Sequence, residues 1–171
     1  MADSVGETTS GGSRVLICVD GSHNAELAFN YYADHFHKPS NEIVLLHVAD
    51  LVIPHSHLYY GMGVAMPTGS TESMLQSALE QERKKLKEIE TKYRTKCKDA
   101  GMKHDFITKM KDNHGVGATI VEAAIKNNMT FVVVGTRGLG SIRRTILGSV
   151  SDYVLHHSHI PMLICPKHEE K

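Results

Sequence analysis

The residues best suited to chemistry in this chain lie in a glycine-rich stretch that follows an apolar run. The stretch reads GTRGLGSIRRTILGSVSDYV over residues 135–154 and ends in a helix-like pattern. Glycines let a backbone approach a ligand closely, and the first amides of a helix have no partner within it. Because those amides lie at the positive end of the helix dipole, the stretch predicts phosphate binding. The alternative is that the glycines serve only as turns.

Spacing excludes two common phosphate-binding motifs. A Walker A loop requires G-x-x-x-x-G-K-[ST], and no lysine lies between Gly135 and Ser151. The dinucleotide fingerprint G-x-G-x-x-G fails because the residue three positions after Gly140 is Arg143. The stretch is therefore neither a P-loop nor a dinucleotide-binding turn.

Asp20 is a second candidate, since it ends the first predicted strand. Its carboxylate could accept hydrogen bonds from ribose or adenine, or contact Mg²⁺ beside phosphates. The alternative is that it caps the helix beginning near Ser22. We favour the ligand role, because ligands of parallel sheets bind at the carboxyl ends of the strands.

Metal binding and nucleophilic catalysis have little support in the sequence. The 12 histidines include clusters at 35/37, 55/57 and 156/157/159, but none shows the i,i+4 pairing of a helical zinc motif. No G-x-S-x-G elbow occurs, and no residue stands out as a base for phosphoryl transfer. At most slow hydrolysis of a bound nucleotide is expected.

Apolar runs and helical periodicities alternate along the chain. Predicted strands cover residues 14–20, 41–50, 103–111, 130–135 and 160–166. The first predicted helix begins after Ser22 as its N-cap, and the second covers 75–97 with Gly101 as its C-terminal cap. Two further helices are predicted over 118–128 and 149–158. This alternation predicts a doubly wound α/β domain with a parallel sheet. The third strand is polar enough to be an edge strand.

Helical periodicity also predicts which side chains face the core. In the first helix these are Ala25, Ala28, Phe29, Tyr32 and Phe36. In the second they are Leu75, Leu79, Leu86, Ile89, Tyr93 and Cys97, and in the third Ile120, Val121, Ala124 and Ile125.

Length and composition bound the remaining possibilities. With 171 residues, 41% of them hydrophobic, the chain suits one domain, expected over 14–168 after a disordered tail at 1–13. The long loop 51–69 is expected to be a lid, a contact surface or a mobile excursion. Because 19 basic residues balance 19 acidic ones, neither nucleic acid nor a membrane surface is an expected partner. No apolar run is long enough to span a bilayer.

The cysteine pattern predicts a reducing compartment. Cys18, Cys97 and Cys165 are odd in number, widely spaced and without a CxxC pair. This pattern fits reduced thiols better than disulfides or a zinc site, so we expect a cytoplasmic protein.

The spacing Gly135-x-x-Gly138, nine residues, then Gly148-Ser149 resembles the ATP-binding pattern of the universal stress protein family. The segments RVLICVDGS, VLLHV, GVGATIVEAA and SVSDYVLHHSHIPMLICP also resemble that family, in the right order, over residues 14–166. The resemblance implies an adenine nucleotide alpha-hydrolase-like fold, with five parallel strands in the order 3-2-1-4-5. It also implies a homodimer through the last strand, Ile160 to Cys165.

The resemblance further implies a set of nucleotide-binding residues. They are Cys18, Val19, Asp20, Val48, Val134, Gly135, Arg137, Gly138, Gly148, Ser149, Val150 and Ser151. Cys18 replaces a frequent proline and Arg137 a frequent histidine, which leaves the choice among ATP, ADP and AMP in doubt.

Three functions follow as hypotheses. The first is an ATP-binding regulatory or stress-response module, with or without Mg²⁺, acting on unknown protein partners. The second is a weak ATP hydrolase whose turnover matters. The third is a family member that has lost its nucleotide and acts only through protein contacts.

Overall fold

The computed structural model describes residues 12–50, 70–136 and 147–165. Strands and helices alternate along these segments. They are β1 (Arg14–Cys18), α1 (His23–His35), β2 (Glu42–Ala49), α2 (Ser70–Asp99), β3 (His104–Met110), α3 (Val116–Lys126), β4 (Phe131–Gly135), α4 (Ser149–His157) and β5 (Met162–Cys165). The predicted tail lies almost wholly outside the described residues, and so does the predicted loop 51–69.

The strands form one sheet in the order β3-β2-β1-β4-β5, with every neighbouring pair parallel. This confirms the predicted doubly wound topology and the edge position of β3. The order reverses between β1 and β4, so the carboxyl ends of these two strands form the switch point of the sheet.

The core consists of two apolar layers, one on each face of the sheet. Alternate residues of β1 enter different layers, because successive strand side chains point to opposite faces. Ile17 packs with α1 and α2, whereas Leu16 packs with α3 and α4. Phe29 of α1 meets Tyr93 of α2 edge-on at 5.3 Å between ring centroids.

Three predicted core positions are wrong. Phe36, Leu75 and Ile125 are 45%, 38% and 57% exposed. Phe36 is the C-cap of α1, beyond its last turn, and Leu75 lies early in a helix of 30 residues that is longer than any strand beneath it. Ile125 lies about 140° around α3 from the buried Ile120, at 100° per residue, and Ala123 is buried instead.

The predicted helix boundaries are confirmed where capping residues mark them. The Ser22 hydroxyl oxygen accepts a hydrogen bond from the Ala25 amide at the start of α1. Gly101 follows α2 with φ of +64°, a left-handed conformation that favours glycine. Among the described helices, none combines the length and hydropathy needed to cross a bilayer.

Candidate functional site

A cleft of about 410 Å³ lies at the carboxyl ends of β1, β2 and β4. Every predicted site residue that the structure describes lines this cleft. They are Cys18, Val19, Asp20, Val48, Val134, Gly135, Gly148, Ser149, Val150 and Ser151. Arg137 and Gly138 lie outside the described residues.

A second concavity, of about 440 Å³, lies between the end of α2 and the start of β3. Its lining includes Arg94, Lys98 and His104. It lies at the amino end of the sheet, where α2 presents its C-terminal carbonyl groups rather than amides. The cleft at the carboxyl ends is therefore the better ligand site.

One wall of the cleft is apolar. Cys18 and Val48 of the sheet meet Val116 and Ile120 of α3 there, and Val134 and Val150 extend the same surface. Such a wall suits a flat, apolar ring system. The sequence predicted Ile120 on the inner face of its helix, but it did not predict that Val116 and Ile120 line the cleft.

The Cys18 thiol belongs to this apolar wall and is chemically quiet. Burial, aided by the negative charge of Asp20, raises the pKa of the Cys18 thiol to about 12. Burial also raises the pKa of Cys97 to about 11 and increases that of Cys165. All three thiols are therefore protonated at neutral pH, and none is a ready nucleophile.

The first turn of α4 also borders the cleft, through Gly148, Ser149, Val150 and Ser151. Gly148 is its N-cap, and no side-chain hydrogen bond caps the helix among the residues that the structure describes. The Asp152 amide donates to the Gly148 carbonyl at 2.9 Å, which leaves the amides of residues 149–151 without partners inside the helix. This turn can bind an anion through backbone groups alone.

The Ser151 hydroxyl is committed within the protein. It donates to the Gly148 carbonyl at 3.0 Å and lies 3.5 Å from the Thr136 carbonyl. Ser151 is 1% exposed, so its side chain joins α4 to the end of β4. Its backbone amide is the group best suited to meet a ligand.

The N-terminus of α1 also opens on the cleft, but side chains already fill it. Asp20 Oδ1 accepts hydrogen bonds from both the amide and the hydroxyl of Ser22, and Ser22 in turn caps α1. The capping role considered for Asp20 is thus present in the structure. A ligand role for the same carboxylate stays a prediction.

Gly135 has a packing reason that the sequence did not reveal. A Cβ atom at this position would lie 2.7 Å from the Asn24 carbonyl oxygen and 2.8 Å from its carbon. Real Cβ atoms do not approach a backbone so closely. The glycine lets α1 cross the end of β4 and does not require a ligand to explain it.

Three further polar residues line the cleft without having been predicted from the sequence: His47, Asp50 and Lys85. Asp50 pairs with Lys111 at 2.6 Å, and Lys85 lies 3.7 Å from Glu82. Lys85 lies on α2, far in sequence from the strand ends, so no local signal predicted that it would line the cleft. Across residues 12–50, 70–136 and 147–165, no three metal-binding side chains cluster.

Comparison with known proteins identifies similar chains over most of this length. The model of the universal stress protein family matches residues 12–166. A universal stress protein of Arabidopsis thaliana is 28% identical over 169 residues, covering 91% of this chain and 63% of the relative.

Solved structures show the same fold. An Arabidopsis thaliana universal stress protein family protein with AMP bound aligns with a TM-score of 0.60 and 18% identity, over 91% of this chain and 92% of that one. A universal stress protein in complex with cAMP aligns with a TM-score of 0.53 and 18% identity, over 92% of this chain and 98% of that one.

Proposed function

Because the chain belongs to the universal stress protein family, we propose that it binds an adenine nucleotide in the cleft and acts as a nucleotide-dependent regulatory module in a stress response. The observation that carries this proposal is the pairing of an apolar wall with the uncapped first turn of α4. Two structures of this fold hold AMP and cAMP, which supports an adenine ligand.

The adenine and the phosphates of the proposed nucleotide bind to different parts of the cleft. The adenine packs against Cys18, Val48 and Val134, because an apolar wall favours burial of a flat ring. The phosphates meet the amides of residues 149–151 at the positive end of α4. The proposed phosphate site also includes Arg137 and Gly138, which lie outside the described residues.

ATP is the proposed ligand, with AMP and ADP as the competing nucleotides. Mg²⁺ fits this site only in part, since Asp20 is the carboxylate that was predicted to hold it and its Oδ1 already binds Ser22. Mg²⁺ typically takes one or two carboxylates, phosphate oxygens and waters. Asp20 would thus serve as a single ligand, and Mg²⁺ would screen the charge of the phosphates.

Nucleotide extracted from the purified protein and identified by mass spectrometry tests the ligand directly. Titration calorimetry with ATP, ADP, AMP and cAMP then ranks the nucleotides. Val48→Arg places a long cation in the apolar wall and is expected to lower affinity about tenfold or more. Met110→Arg adds the same side chain at an exposed position on the neighbouring strand, outside the cleft, and should leave affinity unchanged.

Phosphate release under the same conditions separates the regulatory module from a hydrolase. Binding without release is expected, and release that Gly138→Ala or Asp20→Ala abolishes would support turnover instead. Absence of binding at millimolar nucleotide would contradict the proposed function and favour a member that acts only through protein contacts.

We further propose a homodimer through β5. Among the described strands, β5 pairs with β4 alone, and Met162, Leu163 and Ile164 are each partly exposed along it. Exposed sheet edges tend to pair with another chain unless they are protected. Two copies related by a two-fold axis would cover both edges at once.

Light scattering at tens of micromolar tests the dimer, a range suited to specific association. Met162→Lys puts a charge on the edge and should yield monomers. Met110→Lys makes the same change on the opposite edge strand, β3, and should leave the dimer intact. A monomeric natural protein would contradict this part of the proposal.

The proposed compartment is the cytoplasm. Cys18, Cys97 and Cys165 are all unpaired, which suits a reducing environment. Fractionation with detection of the natural protein tests this placement.

A further inference from the structure

His47 is a buried histidine beside the cleft whose two ring nitrogens face different parts of the protein. It lies in β2 and is 2% exposed. Its Nδ1 lies 3.0 Å from the Val19 carbonyl oxygen. Because a carbonyl oxygen can only accept, Nδ1 carries a proton and donates it to this bond.

Val19 lies one residue beyond the end of β1, where the ladder of strand hydrogen bonds stops. The last pair of the β1–β2 register is Cys18 with Leu46, and the Val19 amide still donates to the Leu46 carbonyl at 2.9 Å. If the β1–β2 ladder continued, a backbone amide of β2 would donate a hydrogen bond to the Val19 carbonyl. The imidazole of His47 donates that hydrogen bond instead. The two strand ends stay joined past the point where their ladder ends.

The other nitrogen of the ring faces α2. Nε2 lies 3.9 Å from Glu82 Oε1, and both atoms are buried without a hydrogen-bond partner among the described residues. The distance is too long for a hydrogen bond, so the carboxylate oxygen is a close neighbour of the ring edge. Glu82 thus confines the ring on the side opposite Val19.

The contacts continue from Val19 into the cleft. The next residue, Asp20, holds the amide and hydroxyl of Ser22, which caps α1. The cleft wall at Val19 and Asp20 thus depends on a side chain from β2 and, behind it, on a carboxylate from α2. No other described side chain donates to the Val19 carbonyl in this structure.

We propose that His47 is a positioning residue for the nucleotide cleft, and that Glu82 holds its ring in place from α2. The Nδ1–H group fixes the peptide between Val19 and Asp20, against which the ligand packs. The effect on binding rests on the proposed function, whereas the fixing of the strand end requires no nucleotide.

Ring NMR and hydrogen exchange test the structural part without ligand. Long-range nitrogen–proton correlations in the natural protein should show a proton on Nδ1 of His47. A bare Nδ1 with the proton on Nε2 alone would overturn the proposal whatever any variant does. In His47→Leu, the amides of Val19 and Ser22 should exchange about tenfold faster than in the natural protein, since opening there loses one restraint.

Rescue by asparagine separates positioning from bulk packing. The amide nitrogen of asparagine lies the same number of bonds from the backbone as Nδ1, so His47→Asn keeps a donor for the Val19 carbonyl. We expect His47→Leu to weaken AMP affinity about tenfold and His47→Asn to remain within about threefold. If asparagine binds as poorly as leucine while both variants fold, the donor has no positioning role.

His104 offers a matched control. Its Nδ1 lies 2.9 Å from the Met102 carbonyl oxygen at the start of β3, the same type of contact at the other end of the sheet. His104→Leu should leave AMP affinity and the exchange of residues 19–22 unchanged. An equal loss in both leucine variants would show a general effect on the fold and would overturn the proposal.

Variants of Glu82 test the contact between the His47 ring and α2. Glu82→Gln presents an amide that can donate to Nε2 of a neutral ring, and AMP affinity should stay within about twofold. Glu82→Leu removes that group and should weaken AMP binding about threefold. Equal binding by both would remove Glu82 from the proposal.

The proposed function and this inference fail in different ways. A natural protein that binds no AMP contradicts the proposed function, while the ring spectrum and the exchange comparison still decide the role of His47. Normal AMP binding by a well-folded His47→Leu contradicts the inference alone.

Discussion

The two ends of the sheet use their polar groups differently. At the amino end, two buried or partly buried side chains donate hydrogen bonds within the fold: Asn41 Nδ2 to the Tyr32 hydroxyl at 2.8 Å, and Arg14 Nη1 to the Asn127 carbonyl at 2.8 Å. At the carboxyl end, no described side chain caps α4, so its first amides have no partners inside the helix. Internal pairing stabilises the fold, whereas unpaired groups are available to a ligand.

The difference follows from the direction of the chain. In a parallel sheet with helical crossovers, every helix that follows a strand begins near the carboxyl ends of the strands. Unpaired amides and positive dipole ends therefore collect at that edge, and carbonyl groups at the other. Changes at the amino end should affect stability alone, and changes at the carboxyl end should also affect binding.

Gly135→Ala is expected to have the largest effect, because it touches both properties. The added Cβ would lie 2.7 Å from a backbone oxygen that cannot rotate away. We expect the free energy of unfolding to fall by about 2–3 kcal/mol, as in overpacked cores, together with weaker AMP binding. Urea unfolding and calorimetry measure the two effects.

Gly21→Ala is the control for that prediction. Gly21 lies at the same end of the sheet, but a Cβ there would meet nothing within 4 Å, and its φ is outside the left-handed range. It should unfold like the natural protein. If both alanine variants lose equal stability, the close approach of α1 to β4 is not the reason for the glycine.

Asn41→Ala should reduce stability without affecting binding. Asn41 is 6% exposed; besides its bond to Tyr32, its Oδ1 accepts from the Ser13 amide at 3.2 Å. Because buried partners lose their hydrogen bonds, we expect a loss of about 2 kcal/mol in the free energy of unfolding. AMP affinity should remain unchanged in calorimetry.

A double-mutant cycle with Tyr32→Phe sharpens this prediction. Phenylalanine removes the hydroxyl that Asn41 binds, so the two changes should cost less together than the sum of the single changes. Additive losses would show that the hydrogen bond contributes little. Weaker AMP binding in Asn41→Ala would contradict the division of roles between the two ends.

Glu26→Gln should have the smallest effect, since it disturbs an ion pair between helices outside the cleft. The Lys92 ammonium, 2.7 Å away, and Lys96 hold the pKa of the Glu26 carboxyl below its ordinary value of 4.5. A lowered pKa stabilises the fold above about pH 4.5, and this stabilisation is lost as pH falls through the folded-state pKa.

Urea unfolding of the natural protein and Glu26→Gln at several pH values tests this expectation. At pH 7 the glutamine variant should be less stable by about 0.5 kcal/mol, typical of a partly exposed pair. The difference should disappear in strong acid, where Glu26 is protonated. A difference that is independent of pH would show that the charge is not responsible, and AMP binding should not change.

Local patterns were enough to predict most elements. The alternation of apolar runs and helical periods predicted β1 to β5 in order, and Ser22 and Gly101 marked helix ends because capping chemistry is local. The strand order came from resemblance, and the structure confirms it. The walls of the cleft were placed well where they follow strand ends, as at Asp20 and Gly135.

Other features escaped prediction because they depend on contacts between distant segments. The periodicity of α3 predicted Ile125 as an inner position, whereas packing against the sheet buries Ala123 and leaves Ile125 exposed. Nothing near Gly135 in the chain indicates that the Asn24 carbonyl lies against it. Lys85 lines the cleft because α2 packs against the face of the sheet to which β2 contributes side chains.

By itself, the sequence determined the elements and their alternation, because propensity, capping and periodicity act over a few residues. Only the tertiary structure decided that Asp20 holds Ser22, that Ser151 is tied to its own helix, and that His47 lies between Val19 and Glu82. Hydrogen bonds require atoms within about 3 Å in a suitable direction. Folding alone brings the His47 ring within 3.0 Å of the Val19 carbonyl, 28 positions away, and within 3.9 Å of the Glu82 carboxylate, 35 positions away.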